Sequence, residues 1–257
     1  MSEPAVLLEY RERVALVTLN RPQAYNAFNG ALRSGLLAVL HELEARKDIR
    51  VVILTAQGKG FSAGADLKEG LPPNVSAQIH SEYEPLMLGL RRLDKVVLAA
   101  VNGATAGIGC ALVASSDLAL MAEDAYMQMA FSKIALVPDG GLTWDLVRAL
   151  GYKRAYRLMI EAGKLSPAQC LEYGLINEVV PGAELQQRAW AWAQQLCELS
   201  PVANALTKRA LHRAMELTLP GAIAVEATLQ DTAAARADCK EGVTAFLEKR
   251  PANYPGF

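Results

Sequence analysis

The chain is poor in the residues that build metal centres and covalent frameworks. It has 257 residues, with only four cysteines and three histidines. Cys110, Cys170, Cys197 and Cys239 are widely spaced without a CxxC pair, and His41, His80 and His212 form no HxxxH pattern. That spacing excludes a zinc ribbon and a disulfide framework and nominates no metal ligand. Cys170 and Cys197, set among apolar or helical residues, read as buried thiols. Neither sign of charge predominates: 26 Lys+Arg against 27 Asp+Glu leave −1, so general attraction to nucleic acid or anionic lipid is absent. No apolar run approaches the roughly 18 residues of a membrane span. The N-terminus lacks the basic segment and apolar core of a leader. The expectation is a soluble, cytoplasmic protein with no membrane or nucleic-acid partner. Low-complexity segments and internal repeats are missing too.

What is present is an ordinary globular balance, 52% hydrophobic and 21% charged, in a chain long enough for a large α/β domain. "VALVTLN" (Val14 to Asn20) is β-rich and stops at Arg21-Pro22. The segment after it carries Leu32, Leu36, Leu37, Leu40 and Leu43 at helical spacing. "RVVILTAQG", "VVLAAVNG" and "DLALMAE" are nearly all-apolar runs of the kind covered on both faces, and a polar helix is predicted from about Ser76 to Leu93. Strand and helix alternating in this order imply βαβ units. After about Gly151 the pattern turns helical, with starts marked by Ser-Pro or Pro. The organisation predicted is a core over residues 1–195 and a helical region over residues 196–257.

Three glycine-containing turns follow apolar runs: "GKGFSAGADLKEG", "VNGATAGIGCAL" and "VPDGG". The third ends a strand-like stretch, Ala130 to Val137, with Asp139 at the turn after Pro138. Pro-Asp-Gly is a common turn sequence, and a turn acid needs no other explanation. Loops at strand C-termini line ligand crevices, and two unpaired amides converging there would stabilise charge on a carbonyl oxygen. Gly103, Gly107 and Gly109 lack dinucleotide spacing, no phosphate-loop motif is present, and "FSAGA" is not a nucleophile elbow, so Ser62 is not a nucleophile.

"NRPQAYNAFN", "GKGFSAGADLKE", "VVLAAVNGATAGIGCALVASSDLALMAEDA" and "EKRPANYPGF" together resemble the crotonase, or enoyl-CoA hydratase/isomerase, superfamily over the whole chain. The resemblance implies an α/β crotonase fold, a spiral of ββα turns with a C-terminal helical trimerisation region, binding acyl-CoA thioesters as a homotrimer or dimer of trimers. Coenzyme A is then part of the substrate, and no other cofactor is implied. The thioester oxygen would be held by the amides of Ala65 and Ile108. Backbone near Ala24 and Ala63 would meet the adenine and pantetheine, and Phe246 and Lys249 would reach a CoA on a neighbouring subunit. Asp66 reads as a helix cap and Trp144 as a packing residue.

Departures from the family pattern decide the chemistry expected. The two glutamates that activate water in the hydratases are replaced by Ala111 and Phe131, neither of which can exchange a proton. The place of Asp139, immediately after Pro138, is similar to that of the catalytic acid in peroxisomal-type Δ3,Δ2-enoyl-CoA isomerases and in the ring isomerases of phenylacetate degradation. The resemblance therefore implies an isomerase moving a double bond from the 3 to the 2 position, with Asp139 shuttling the proton. Its apolar neighbours Phe131, Leu136, Val137, Leu142 and Trp144 predict a raised pKa. Three alternatives stay open: a hydratase; a dehalogenase-like hydrolase with Asp139 as nucleophile; and a CoA-thioester binding protein without turnover. The dehalogenase histidine falls near Glu84, beside Tyr83 and one turn after His80, and Glu84 could be a second acid of the pocket.

Overall fold

The structure is a computed structural model describing residues 3–256. A six-stranded sheet runs in the order β1 (Val6–Arg11), β2 (Val14–Leu19), β3 (Val51–Ala56), β5 (Val96–Val101), β7 (Leu118–Ala122), β10 (Glu178–Val180). Only the β1–β2 pair is antiparallel, in register from Val6↔Leu19 to Arg11↔Val14; the others are parallel. Every residue of β3 is buried, as a two-sided apolar run requires. Helices Gly30–Ala45 and Leu185–Cys197 pack on this sheet, the first through Leu32, Leu36, Leu40 and Leu43.

A second sheet has the order β4 (Gly60–Ser62), β6 (Ala104–Ala106), β8 (Tyr126–Gln128), β9 (Lys164–Leu165). Each long strand β3, β5 and β7 feeds a short strand of this sheet, so consecutive turns of the chain stack as a spiral of ββα units. The crotonase architecture is thus present. It places the ends of β4 and β6, and the loops after them, side by side.

Three local features differ from the expectations. The hairpin strand β1 adds to the strands read from sequence. The run Ala130–Val137 is not a strand: Ala130–Ile134 is a 3₁₀ helix, and Ala135 is left-handed. The edge of β8 that it would need is taken by β9, which pairs Met127↔Leu165 and Gln128↔Lys164. The predicted helix from Ser76 starts at Val75, capped by the Asn74 side chain, and is interrupted by a π-helical turn, Ile79–Tyr83, before continuing as Glu84–Arg92.

Beyond residue 196, helix Pro201–Ala214 remains bound to the core. Lys208 Nζ donates to the carbonyls of Leu90 (2.8 Å) and Lys95 (3.2 Å) and pairs with Asp117 (2.8 Å). Helix Leu219–Ala234 packs on Pro201–Ala214 and buries none of its own side chains. With helix Ala237–Glu248 it leaves Leu219, Ile223, Val243, Phe246 and Leu247 turned outward. Among the described residues no helix is long and apolar enough to cross a membrane.

Candidate active site

The buried Asn26 and the half-buried Arg21 hold the first loop. Asn26 donates from Nδ2 to the carbonyls of Gln57 (2.9 Å) and Gly60 (2.8 Å), and its Oδ1 accepts from the Arg21 amide (2.7 Å). Arg21 also pairs with Asp66 at 2.9 Å, and this hydrogen-bonded guanidinium holds the Asp66 carboxyl below its ordinary range. Asp66 in turn caps the short helix Leu67–Glu69 by accepting from Lys68, as expected of it. These ties fold residues 21–27 against the strand β4 loop, so that the Ala63 amide donates to Tyr25 at 2.8 Å. Ala24 and Ala63 are thereby brought together. Ser62 is fully buried with its hydroxyl on the Asn26 carbonyl, a structural role.

The next residue pair, Gly64-Ala65, lies against the loop after β6. A side chain on Gly64 would meet the Ala106 carbonyl at 3.0 Å and the Gly107 Cα at 3.5 Å, so the backbones touch. Ala65 bridges to Phe28, but the bonds of that bridge run through the neighbours: Phe28 donates to Gly64 and Asp66 donates to Phe28. Ile108 opens the helix Ile108–Ala114, where first-turn amides have no helical acceptor. Among the described residues the amides of Ala65 and Ile108 donate to no protein acceptor.

The turn Pro138-Asp139-Gly140-Gly141 closes over that helix N-terminus. Gly140 has φ +64°, and a Cβ there would stand 2.5 Å from Ile108 Cδ1 and 2.6 Å from the Ala111 Cβ. Asp139 is thereby next in the chain to a residue packed on the Ile108 side chain and on Ala111, two positions that the sequence had singled out. Phe131, at the other missing glutamate, turns its ring edge toward Gly107. Ala111 and Phe131 are both buried. Asp139 Oδ1 is buried with no hydrogen-bond partner among the described residues. Burial pushes the Asp139 carboxyl up to about 6, as its apolar setting predicted, although Val137 does not contribute, being 78% exposed. Replacing Gly140 by alanine combines left-handed strain with overpacking, so G140A is expected to lose about 2–4 kcal/mol in a denaturant melt and to displace Asp139.

The family model for enoyl-CoA hydratase/isomerase matches residues 9–256. The chain belongs to the enoyl-CoA hydratase/isomerase family. It is thus an enzyme of the crotonase superfamily, acting on acyl-CoA thioesters. It is similar to a probable enoyl-CoA hydratase of Rhodobacter capsulatus, 39% identical with both chains covered completely. It is also similar to the 1,2-epoxyphenylacetyl-CoA isomerase of Escherichia coli, 36% identical over 98% of each chain. The crystal structure of an enoyl-CoA hydratase from Bacillus anthracis superposes with a TM-score of 0.91 at 31% identity, covering 97% of this chain and 98% of that one.

In this hydratase/isomerase family member a cleft of about 910 Å³ adjoins the Asp139 turn at Gly140 and Gly141. One wall is the helical face Ile79, Glu84, Met87 and Leu88; Val225 and Leu229 of the C-terminal region stand in another. Trp144 lines it as well, stacked under Arg148 at 3.9 Å, so it does more than fill the core. Glu84 reaches the cleft with His80 Nδ1 2.6 Å from its carboxylate. Tyr83 is buried edge-on against Phe28, with ring centroids 6.3 Å apart, and Asp139 is among the charges acting on its hydroxyl. Phe246 and Lys249 are not part of this constellation: Phe246 is on the outer face and Lys249 caps its helix in a left-handed conformation. Sequence reasoning missed Gly140 as the contact that seats the acid and Asn26 as the staple of the first loop. The quoted motifs contained both, without a signal separating them from ordinary turn residues.

Proposed function

We propose that this enzyme is an acyl-CoA isomerase that moves a double bond from the 3 to the 2 position with Asp139 as its single base. The observation carrying this reading is the buried, unpartnered Asp139 Oδ1 beside the Ile108–Ala111 turn. An ionised Asp139 removes a proton from C2 of a 3-enoyl thioester. The electron pair moves onto the thioester oxygen, where the unengaged amides of Ala65 and Ile108 stabilise the dienolate. Protonation at C4 by the same carboxyl completes the shift and restores the base. One residue suffices because both proton transfers lie on one face of the chain.

Hydration is the reading suggested by the names of several relatives, but it asks for acid/base groups to activate and position water. Buried Ala111 and Phe131 offer none. CoA is read as bound along the Ala24 and Ala63 backbone, and the outward Phe246 and Lys249 as serving a neighbouring subunit of a homotrimer or dimer of trimers. The outward apolar residues of the last two helices support that assembly.

The test follows purified protein with 3-hexenoyl-CoA, watching the conjugated 2-enoyl thioester by ultraviolet absorbance, beside a crotonyl-CoA hydration assay. Isomerisation with negligible hydration is expected; efficient hydration overturns the reading. Since only the ionised carboxylate can accept a proton, kcat/KM should climb about tenfold per pH unit on the acid side and level off above pH about 6. A profile flat from pH 5 to 8 would remove Asp139 from the role.

A further inference from the structure

Helix Gly30–Ala45 carries an arginine on its buried side. Arg33 is 8% exposed and shares that side with Leu32 and Leu36, a setting in which a charge requires partners. Its partners belong to two different parts of the site. Arg33 Nη1 donates to the Phe28 carbonyl at 2.8 Å and to Glu69 at 3.2 Å. Arg33 Nε stands 2.5 Å from Glu82 Oε2 as an ion pair, but the two are not aligned as a hydrogen bond. Among the described residues neither of these buried atoms has another hydrogen-bond partner.

The Phe28 and Glu69 contacts bear on the Ala65 amide. Phe28 donates to Gly64 at 2.7 Å, and its carbonyl accepts from Asp66 at 3.2 Å, so the residues on either side of Ala65 are fastened to Phe28. Arg33 occupies that same Phe28 carbonyl. Glu69 ends the short helix that follows, Leu67–Glu69, and also accepts from the Gly30 amide at 3.0 Å. The Glu82 contact leads to the cleft instead. Glu82 lies in the π-helical turn Ile79–Tyr83, and Ile79 and Glu84, which flank it, line the cleft. Its neighbour Tyr83 packs edge-on against the Phe28 ring. One guanidinium thus joins the loop of the Ala65 amide to a wall of the cleft.

We propose that Arg33 is a positioning residue of this enzyme, setting the Ala65 amide against the thioester oxygen and tying its place to the cleft wall through Glu82. The inference rests on the oxyanion reading above and adds the group that aims one of its donors. Lysine does not replace it, because an ammonium is a point charge without the guanidinium fork that meets several partners at fixed angles. Misaligning a preorganised donor costs transition-state stabilisation more than ground-state binding.

The conjugated thioester 2,4-hexadienoyl-CoA tests this without turnover, since hydrogen bonds to its carbonyl move its ultraviolet band to longer wavelength. Wild type, R33M, R33K, E82Q and R33M/E82Q would be titrated with it and assayed with 3-hexenoyl-CoA. R33M is expected to bind the dienoyl thioester with wild-type affinity but lose about half of the band shift, and to lower kcat about 10–100-fold at nearly unchanged KM. R33K, which keeps a cation for Glu69 and Glu82 and melts like the wild type, is expected to show the same spectral loss. E82Q should lose less, and the double variant should be no worse than R33M, because Glu82 acts through Arg33. A full band shift and full kcat in R33M or R33K overturns the inference, and so does a multiplicative loss in the double variant. A wild type that binds without any band shift overturns the oxyanion reading and the inference together. If the band shift depends on Arg33 but 3-hexenoyl-CoA is not isomerised, the isomerase reading fails and the positioning role stands.

Discussion

Replacing Asp139 by asparagine lowers kcat for 3-enoyl-CoA isomerisation by about 10³-fold, within the range that a positioned general base contributes, and leaves KM nearly unchanged. The same substitution stabilises the fold above neutrality. In the native chain the carboxyl ionises near 6 because burial disfavours its charge, against 3.8 when unfolded. The native state therefore holds its proton more tightly than the unfolded one. The stability linked to that proton is fully present below about pH 4 and is lost as the pH rises through 6. A gap of about two units corresponds to roughly 3 kcal/mol. Asparagine has no proton to lose. Denaturant melts should show D139N more stable than the wild type by 2–3 kcal/mol, to order of magnitude, at pH 8, and the advantage should shrink toward pH 4. A variant that is inactive and also destabilised at pH 8 would mark Asp139 as a structural turn acid.

Replacing Lys208 by methionine produces the largest loss of stability, about 3–5 kcal/mol, because one partner of a buried ion pair is left behind. The ammonium spans the Leu90 and Lys95 carbonyls and the Asp117 carboxylate, which also accepts from the Val97 amide at 2.7 Å. Burial opposes both charges, raising the Asp117 pKa and lowering that of Lys208, so each stands only while the other is present. K208M loosens the attachment of helix Pro201–Ala214, the carrier of Arg209, His212 and Arg213. A double variant with D117N removes the stranded charge and should recover part of the loss. A double-mutant cycle showing simple additivity would contradict this account.

The parts of the fold legible in sequence were those in which one physical demand governed a whole segment. Val51–Ala56, Val96–Val101 and Leu118–Ala122 are apolar on both faces because both faces are covered, and the leucines of Gly30–Ala45 repeat as its buried stripe does. The strands of the second sheet are two or three residues long, too short for any period to register. Ala130–Val137 has strand-like composition, yet which neighbour occupies the edge of β8 is a tertiary fact. At the site, Pro-Asp-Gly and the missing glutamates pointed to Asp139, and the roles proposed for Ala65 and Ile108 come from the crotonase resemblance. The orphaned oxygen was not visible in sequence, since it depends on the seating of Gly140 against Ile108 and Ala111 from a distant part of the chain. The cleft lining was equally hidden, because its residues come from helices far apart in sequence.

The π-helical turn Ile79–Tyr83 sets the register of the wall that follows it. A π turn holds one residue more than an α turn, and each residue of an α-helix advances the side chains by about 100°. Deleting a single residue inside that turn would convert it to α and, because the turn gives up only the residue it held in excess, leave Met87, Leu88, Arg91 and Arg92 facing the cleft. A one-residue deletion elsewhere in the helix, where no turn holds a spare residue, would instead rotate the same side chains by about 100°. Successive point substitutions alter the same wall one side chain at a time.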